Sequence, residues 1–134
     1  MRLLVCGTRT YSDEFFMFAR LDELHSKHNI TVVIEGEAKG ADKMARKWAE
    51  QNNIPVSRFP ARWGKFGRAA GPIRNKQMLT EGQPDMVAAF IDKPLGQTIG
   101  TLNMINQASK AKIDWSWYSS LLKESEGAGW SDER

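Results

Sequence analysis

Three places in this chain set glycine beside hydroxyl, cationic or acidic side chains directly after a β-like run: Gly7-Thr8-Arg9, Gly36-Glu37-Ala38-Lys39-Gly40-Ala41-Asp42, and Gly100-Thr101. A strand that ends in glycine and runs into a helix presents unpaired backbone N–H groups and the positive end of a helix dipole. That chemistry holds a phosphate or another anion. Thr8 adds a hydroxyl donor, and Arg9 a guanidinium that can fork onto phosphate oxygens. Asp42 can accept hydrogen bonds from a ribose or base, or cap its own helix. The plainer alternative is that the glycines only turn the chain. A fourth stretch, Phe59 to Arg68, mixes glycine, aromatics and cations without a period. Here Arg62, Lys65 and Arg68 are candidates for an anion, and Trp63 or Phe66 for stacking on a base; otherwise it is a solvated basic loop pinned by Trp63. Arg74 and Asn75 follow near a helix start, placed to face a cleft.

The elements that must position these residues alternate. Arg2 to Cys6 reads as a strand. A helix follows, capped by Ser12 or Asp13 and running to about His28, with Phe15, Phe18, Ala19, Leu21 and Leu24 as its apolar side. Thr31 to Ile34 is a β-branched strand, and Ala41, Met44, Ala45 and Trp48 mark one helix face. Ile54 to Val56 is extended. A further helix holds Pro72 in its first turn and Ile73, Gln77 and Met78 along one side. Asp85 to Phe90 is the next strand, and Thr98 opens a helix in which Leu102, Ile105 and Ala108 repeat. Such alternation predicts an α/β fold, a Rossmann-like three-layer sandwich with a mostly parallel sheet. All three glycine turns then fall at the carboxyl edge of the sheet, where open α/β folds bind ligands. Lys110 to Ile113 is expected to start a final strand. Asp114 to Tyr118 is an edge strand, a packing tail or a subunit contact, and its aromatics Trp115, Trp117 and Tyr118 suggest a homo-oligomer.

At 134 residues the chain is expected to be one domain, residues 1–122, with a frayed tail over 123–134 in which Trp130 could anchor on a neighbour. With 41% hydrophobic and 26% charged residues it is expected to be globular, with no membrane span and no leader. One cysteine, Cys6, fits a reducing cytoplasm and a core position. The formal charge of +3 suits phosphorylated small molecules and is too small to demand a polyanion. A P-loop, a strict dinucleotide fingerprint, a zinc spacing and a nucleophile elbow are all absent, so no metal and no cofactor are expected. His25 and His28 read as exposed end-of-helix residues.

Taken together these residues resemble the SLOG superfamily of Smf/DprA and Lonely Guy proteins, in its small YspA-like, YpsA-related branch. The resemblance runs from Met1 to about Ile113 and rests on Gly7-Thr8-Arg9, Gly36 to Asp42, Phe59-Pro60-Ala61-Arg62-Trp63, and Ala70 to Met78. It implies a domain that binds nucleotides, nucleotide-derived signals or, in one branch, DNA. Lonely Guy enzymes instead cleave an N-glycosidic bond, with a carboxylate in the pattern G-G-x-G-T-x-x-E. Here Met104 stands where that glutamate would be, while Arg74 matches the arginine of the other motif. The resemblance thus implies binding rather than catalysis.

The reading that follows is a module for an ADP-ribose-like or cyclic nucleotide signal, acting as a sensor or a phage-like sequestering protein. Its ligand-binding residues are Gly7, Thr8, Arg9, Gly36, Lys39, Gly40, Asp42, Trp63, Arg68, Arg74, Asn75, Gly100 and Thr101. The alternatives are a nucleotide hydrolase using Asp42, Glu37 and Arg74, and single-stranded nucleic-acid binding through Arg9, Arg62, Lys65 and Arg68 with Trp63 as platform.

Overall fold

The apolar strands decide the architecture, because a strand with no polar face must be covered on both sides. The computed structural model describes residues 1–121 and the backbone of residues 124–128. Its elements run β1 (Arg2–Gly7), α1 (Glu14–His28), β2 (Val32–Glu35), α2 (Ala41–Gln51), β3 (Val56–Arg58), α3 (Trp63–Phe66), α4 (Ala70–Gly82), β4 (Met86–Ile91), α5 (Ile99–Lys110), β5 (Asp114–Ser119) and β6 (Glu124–Ala128). Two 3-10 turns, Gly67–Ala69 and Leu95–Gln97, lead into α4 and α5. The strands form one sheet in the order β3-β2-β1-β4-β5-β6, with β1 to β5 parallel and β6 antiparallel to β5.

The sheet separates two apolar layers. Leu3, Val5, Val33 and Phe90 pack against α1 and α2 through Met17, Leu21, Ala45 and Trp48. Leu4, Cys6, Ile34 and Ala89 pack against α4 and α5 through Met78, Leu79, Met104 and Ile105. This is the Rossmann-like three-layer arrangement that the alternation implied. β1 lies between β2 and β4, so the chain leaves it toward one edge first and the other later. At such a switch point the loops after the two central strands diverge and leave a crevice.

Several boundaries differ from the sequence expectation. On α1 the buried residues are Phe16, Met17, Leu21 and Leu24, whereas Phe15 is 89% exposed. Asp13 fixes that phase by accepting the Phe16 N–H at 3.2 Å as N-cap. On α4 the buried face is Asn75, Met78, Leu79 and Gly82, and Ile73 points outward. His25 is not a free end-of-helix group: its Nδ1 accepts the Ile30 N–H at 3.0 Å and its ring meets Trp48 edge-on. The strand after α5 is Asp114–Ser119 itself and not Lys110 to Ile113. Its aromatics are used within the subunit: Tyr118 stacks on Phe90 on one face, and Trp115 and Trp117 pack toward α4 and α5 on the other. β5 is also not an edge strand, because residues 124–128, expected within a frayed tail, pair with it. The Trp130 anchor lies outside the described residues.

Candidate functional site

At the switch point the end of β1, the loop after β4 and the first turns of α4 and α5 enclose a cleft of about 290 Å³. Gly7 to Thr10 and Thr98 to Thr101 line it, together with Asp42, Trp63, Arg74, Asn75, Lys93, Cys6 and Met78. Thr8 is fixed through its backbone: its N–H reaches the Phe90 carbonyl at 3.1 Å, and its carbonyl accepts from Tyr11 and Ala41, both at 3.2 Å. Its hydroxyl Oγ1 is buried without a hydrogen-bond partner. In the same cleft, α5 begins with Thr98 as N-cap, and Thr98 Oγ1 is spent on the Leu95 carbonyl at 2.6 Å. The first N–H groups of the helix, at Ile99, Gly100 and Thr101, have no carbonyl one turn back to reach. Gly100 leaves the approach to them open, since a Cβ there would meet no atom within 4 Å.

The Gly36 to Asp42 turn is built differently from the anion cradle its glycines suggested. Asp42 Oδ2 accepts the Gly36 and Ala38 N–H groups, each at 3.1 Å. Glu35 takes the Glu37 N–H, and the Ala41 N–H goes to Thr8. The donors that would have cradled a phosphate therefore hold the turn itself. Gly40 is needed for closure: at φ +74° it passes so close to the Thr8 and Arg9 carbonyls that any side chain would overlap them. Gly36 is needed for a neighbour, because the Arg74 guanidinium lies where its Cβ would stand and donates to its carbonyl at 2.6 Å.

The acids sort into two kinds. Glu35 is wholly buried and pairs with Arg46 at 2.8 Å. Glu37, a candidate carboxylate of the hydrolase alternative, turns to Arg46 at 3.2 Å and Arg58 at 3.8 Å, so it is not a free carboxylate. Asp42 alone lines the cleft. Burial pushes its carboxyl up to about 6, against the opposing pull of the Ala38 N–H and of Arg74. Its second oxygen, Oδ1, takes no hydrogen bond from the described residues. Burial, reinforced by the Asp42 charge, pushes the Cys6 thiol upward, so it stays neutral and is no nucleophile.

Of the residues expected at the ligand, Gly7, Thr8, Arg9, Asp42, Trp63, Arg74, Asn75, Gly100 and Thr101 line this cleft. Gly36, Glu37 and Lys39 line an adjoining hollow. Gly40 shapes the turn behind, and Arg68 stands exposed on its 3-10 turn and lines neither. Asn75 is largely structural: its amide donates to the Gly100 carbonyl at 3.2 Å and to Asn103 Oδ1 at 3.1 Å, tying α4 to the start of α5. Met104 is 0% exposed in the core, one turn below the cleft, and does not reach it. Lys93, Thr98 and Thr10 were not anticipated. The N-cap position of Thr98 was a readable signal; Lys93 sits in an irregular polar stretch that gave none.

Residues 1–66 match the sequence model of the YspA, cpYpsA-related SLOG family. The Gene 61 protein of Mycobacterium phage D29 is 36% identical over 118 residues, which is 84% of this chain and 91% of that protein. The chain belongs to the YspA-like SLOG family. Among solved structures, UDP-GlcNAc 2-epimerase from Methanocaldococcus jannaschii aligns over 88% of this chain with 21% identity and a TM-score of 0.46. The chain spans 31% of that epimerase's length, and the likeness is too slight to carry an argument. Within the SLOG family the Gly7, Gly36–Asp42 and Trp63 stretches fall inside the matched residues, whereas the α5 turn lies beyond them.

Proposed function

We propose that this SLOG protein binds a nucleotide-derived small molecule, an ADP-ribose-like or cyclic nucleotide signal, with its phosphate between Thr8 and the N-terminus of α5. It acts as a sensor or a sequestering protein and does not turn the ligand over. The observation that carries this is the Thr8 hydroxyl, buried and without a hydrogen-bond partner, on a residue that lines the same cleft as the open start of α5. A buried hydroxyl without a partner costs stability unless a ligand supplies one. The charge balance fits as well: Arg9, Lys39 and Arg74 form no salt bridge among the described residues. Family membership supports a nucleotide-related ligand, and the phage relative is consistent with sequestration.

The test is calorimetry with a nucleotide panel on the wild type and on Thr8→Val. Valine keeps the shape and removes the hydroxyl. A hydrogen bond to a charged phosphate contributes about 1.5–3 kcal/mol, so the variant should bind roughly ten- to hundredfold more weakly while folding at least as stably. Absence of binding to every nucleotide would sink the proposal. A second reading, an N-glycosidic hydrolase, is favoured by one observation, the free Asp42 Oδ1 in the cleft beside Arg74. It requires release of free base from a nucleotide, lost in Asp42→Asn.

A further inference from the structure

The cleft does not end at Arg9. A second hollow of about 490 Å³ opens beside it, and both are lined by Arg9, Ala38, Trp63 and Arg74. Pockets that enclose a ligand of nucleotide size run from roughly 300 Å³ upward, so the inner cleft alone sits at the lower bound. At the seam stands Trp63, whose indole is 47% exposed. Its edge rests over Gly71, where even a Cβ would come within 3.4 Å of it. The Arg9 guanidinium lies over the ring at 5.2 Å from its centroid. Trp63 is therefore a half-exposed aromatic surface shared by the two hollows, and the group covering it is the exposed Arg9 guanidinium. A cation over an aromatic face occupies the position a flat base would take, and Arg9 can stack on the outer face of a base just as it does on the indole.

We infer that Trp63 is the base platform of this site: the nucleotide lies with its phosphate in the inner cleft and its base in the outer hollow, inserted at the Arg9–Trp63 pair. This rests on the nucleotide reading above and adds the ligand's orientation and its main contact. The ligand class is then a nucleotide with an unblocked flat base, rather than a sugar phosphate or an inorganic anion. Glu37, the acid nearest the outer hollow, is held by Arg46 and Arg58 and leaves the field there to Arg9, Lys39 and Arg74.

AMP and ribose 5-phosphate share a ribose-borne phosphate, and only AMP carries a base. Titrated into the wild type, AMP should bind at least about fivefold more tightly than ribose 5-phosphate, because stacking of a base on an aromatic side chain is worth roughly five- to 150-fold. Trp63→Ala should shrink that difference by weakening AMP several-fold more than ribose 5-phosphate. Trp63→Phe should restore most of it. Equal affinities of the two probes for the wild type, or an equal loss of both in Trp63→Ala, would overturn the platform while leaving the phosphate site standing. Binding of neither probe, together with an empty nucleotide panel, would overturn both.

Discussion

Replacing Asp42 with asparagine should abolish a pH dependence that the cleft builds into folding. Asp42 Oδ2 accepts two backbone N–H groups, and an asparagine carbonyl in the same place can accept both. The substitution therefore keeps the turn and removes the charge. The carboxyl is raised from 3.8 to about 6 chiefly by burial, and at 1.36 kcal/mol for each pH unit this corresponds to about 3 kcal/mol. The sign follows from proton binding. The folded state holds the Asp42 proton more tightly than the unfolded chain, so this stability is fully present below pH 3.8 and lost as pH rises through about 6. Asparagine has no proton to lose. Urea unfolding followed by tryptophan fluorescence, repeated from about pH 4 to about pH 8, gives the difference in stability between variant and wild type, in which other titrating groups cancel. That difference should move in favour of Asp42→Asn by up to about 3 kcal/mol between pH 4 and pH 7, then level off. A difference that stays flat, or one that runs the other way, would refute the burial argument. An anion bound in the cleft opposes the Asp42 charge, so wild-type affinity should also fall through the same pH window and the variant's should not.

Gly40→Ala should lower stability by roughly 2 kcal/mol or more, since a side chain at φ +74° is strained and also overlaps the Thr8 and Arg9 carbonyls; a change below about 0.5 kcal/mol in urea unfolding would contradict the geometry. Glu35→Gln should cost about 2–3 kcal/mol, at the low end for a broken buried pair because Arg46 keeps some contact with water, and a double-mutant cycle with Arg46→Met should recover most of it. Gly36→Ala should leave the fold largely intact but push the Arg74 guanidinium aside, visible as at least tenfold weaker nucleotide binding with a small shift in urea midpoint.

What could be read without the structure was local. A β-branched run, a glycine turn and a 3.6-residue period are written within a dozen neighbouring residues, so β2, its turn and α2 were legible, as was the alternation that makes the sheet parallel. The convergence of Thr8, Asp42, Arg74 and Thr101 on one crevice followed from topology, because loops after parallel strands share an edge. The phase of a helix was less legible: Phe15 and Phe16 are equally apolar, and only the Asp13 cap and the position of β1 beneath decide which is buried. β6 was missed because a run of small and charged residues carries little strand signal and finds its partner only once β5 offers an unpaired edge.

The sequence by itself determined that glycine, hydroxyl and cationic groups would gather at the carboxyl edge of a parallel sheet, since the alternation of strand, turn and helix and the chemistry of each turn are short-range properties of the chain. Which of those groups remain free to meet a ligand was decided only by the tertiary structure. Arg74 finds the Gly36 carbonyl 38 residues away, Arg46 pairs with Glu35 and Glu37, and Asp42 takes up the Gly36 and Ala38 N–H groups of its own turn. The Thr8 hydroxyl is left over. Hydrogen bonds and ion pairs are allotted by proximity after packing, and proximity across the fold is not encoded in any one stretch of residues.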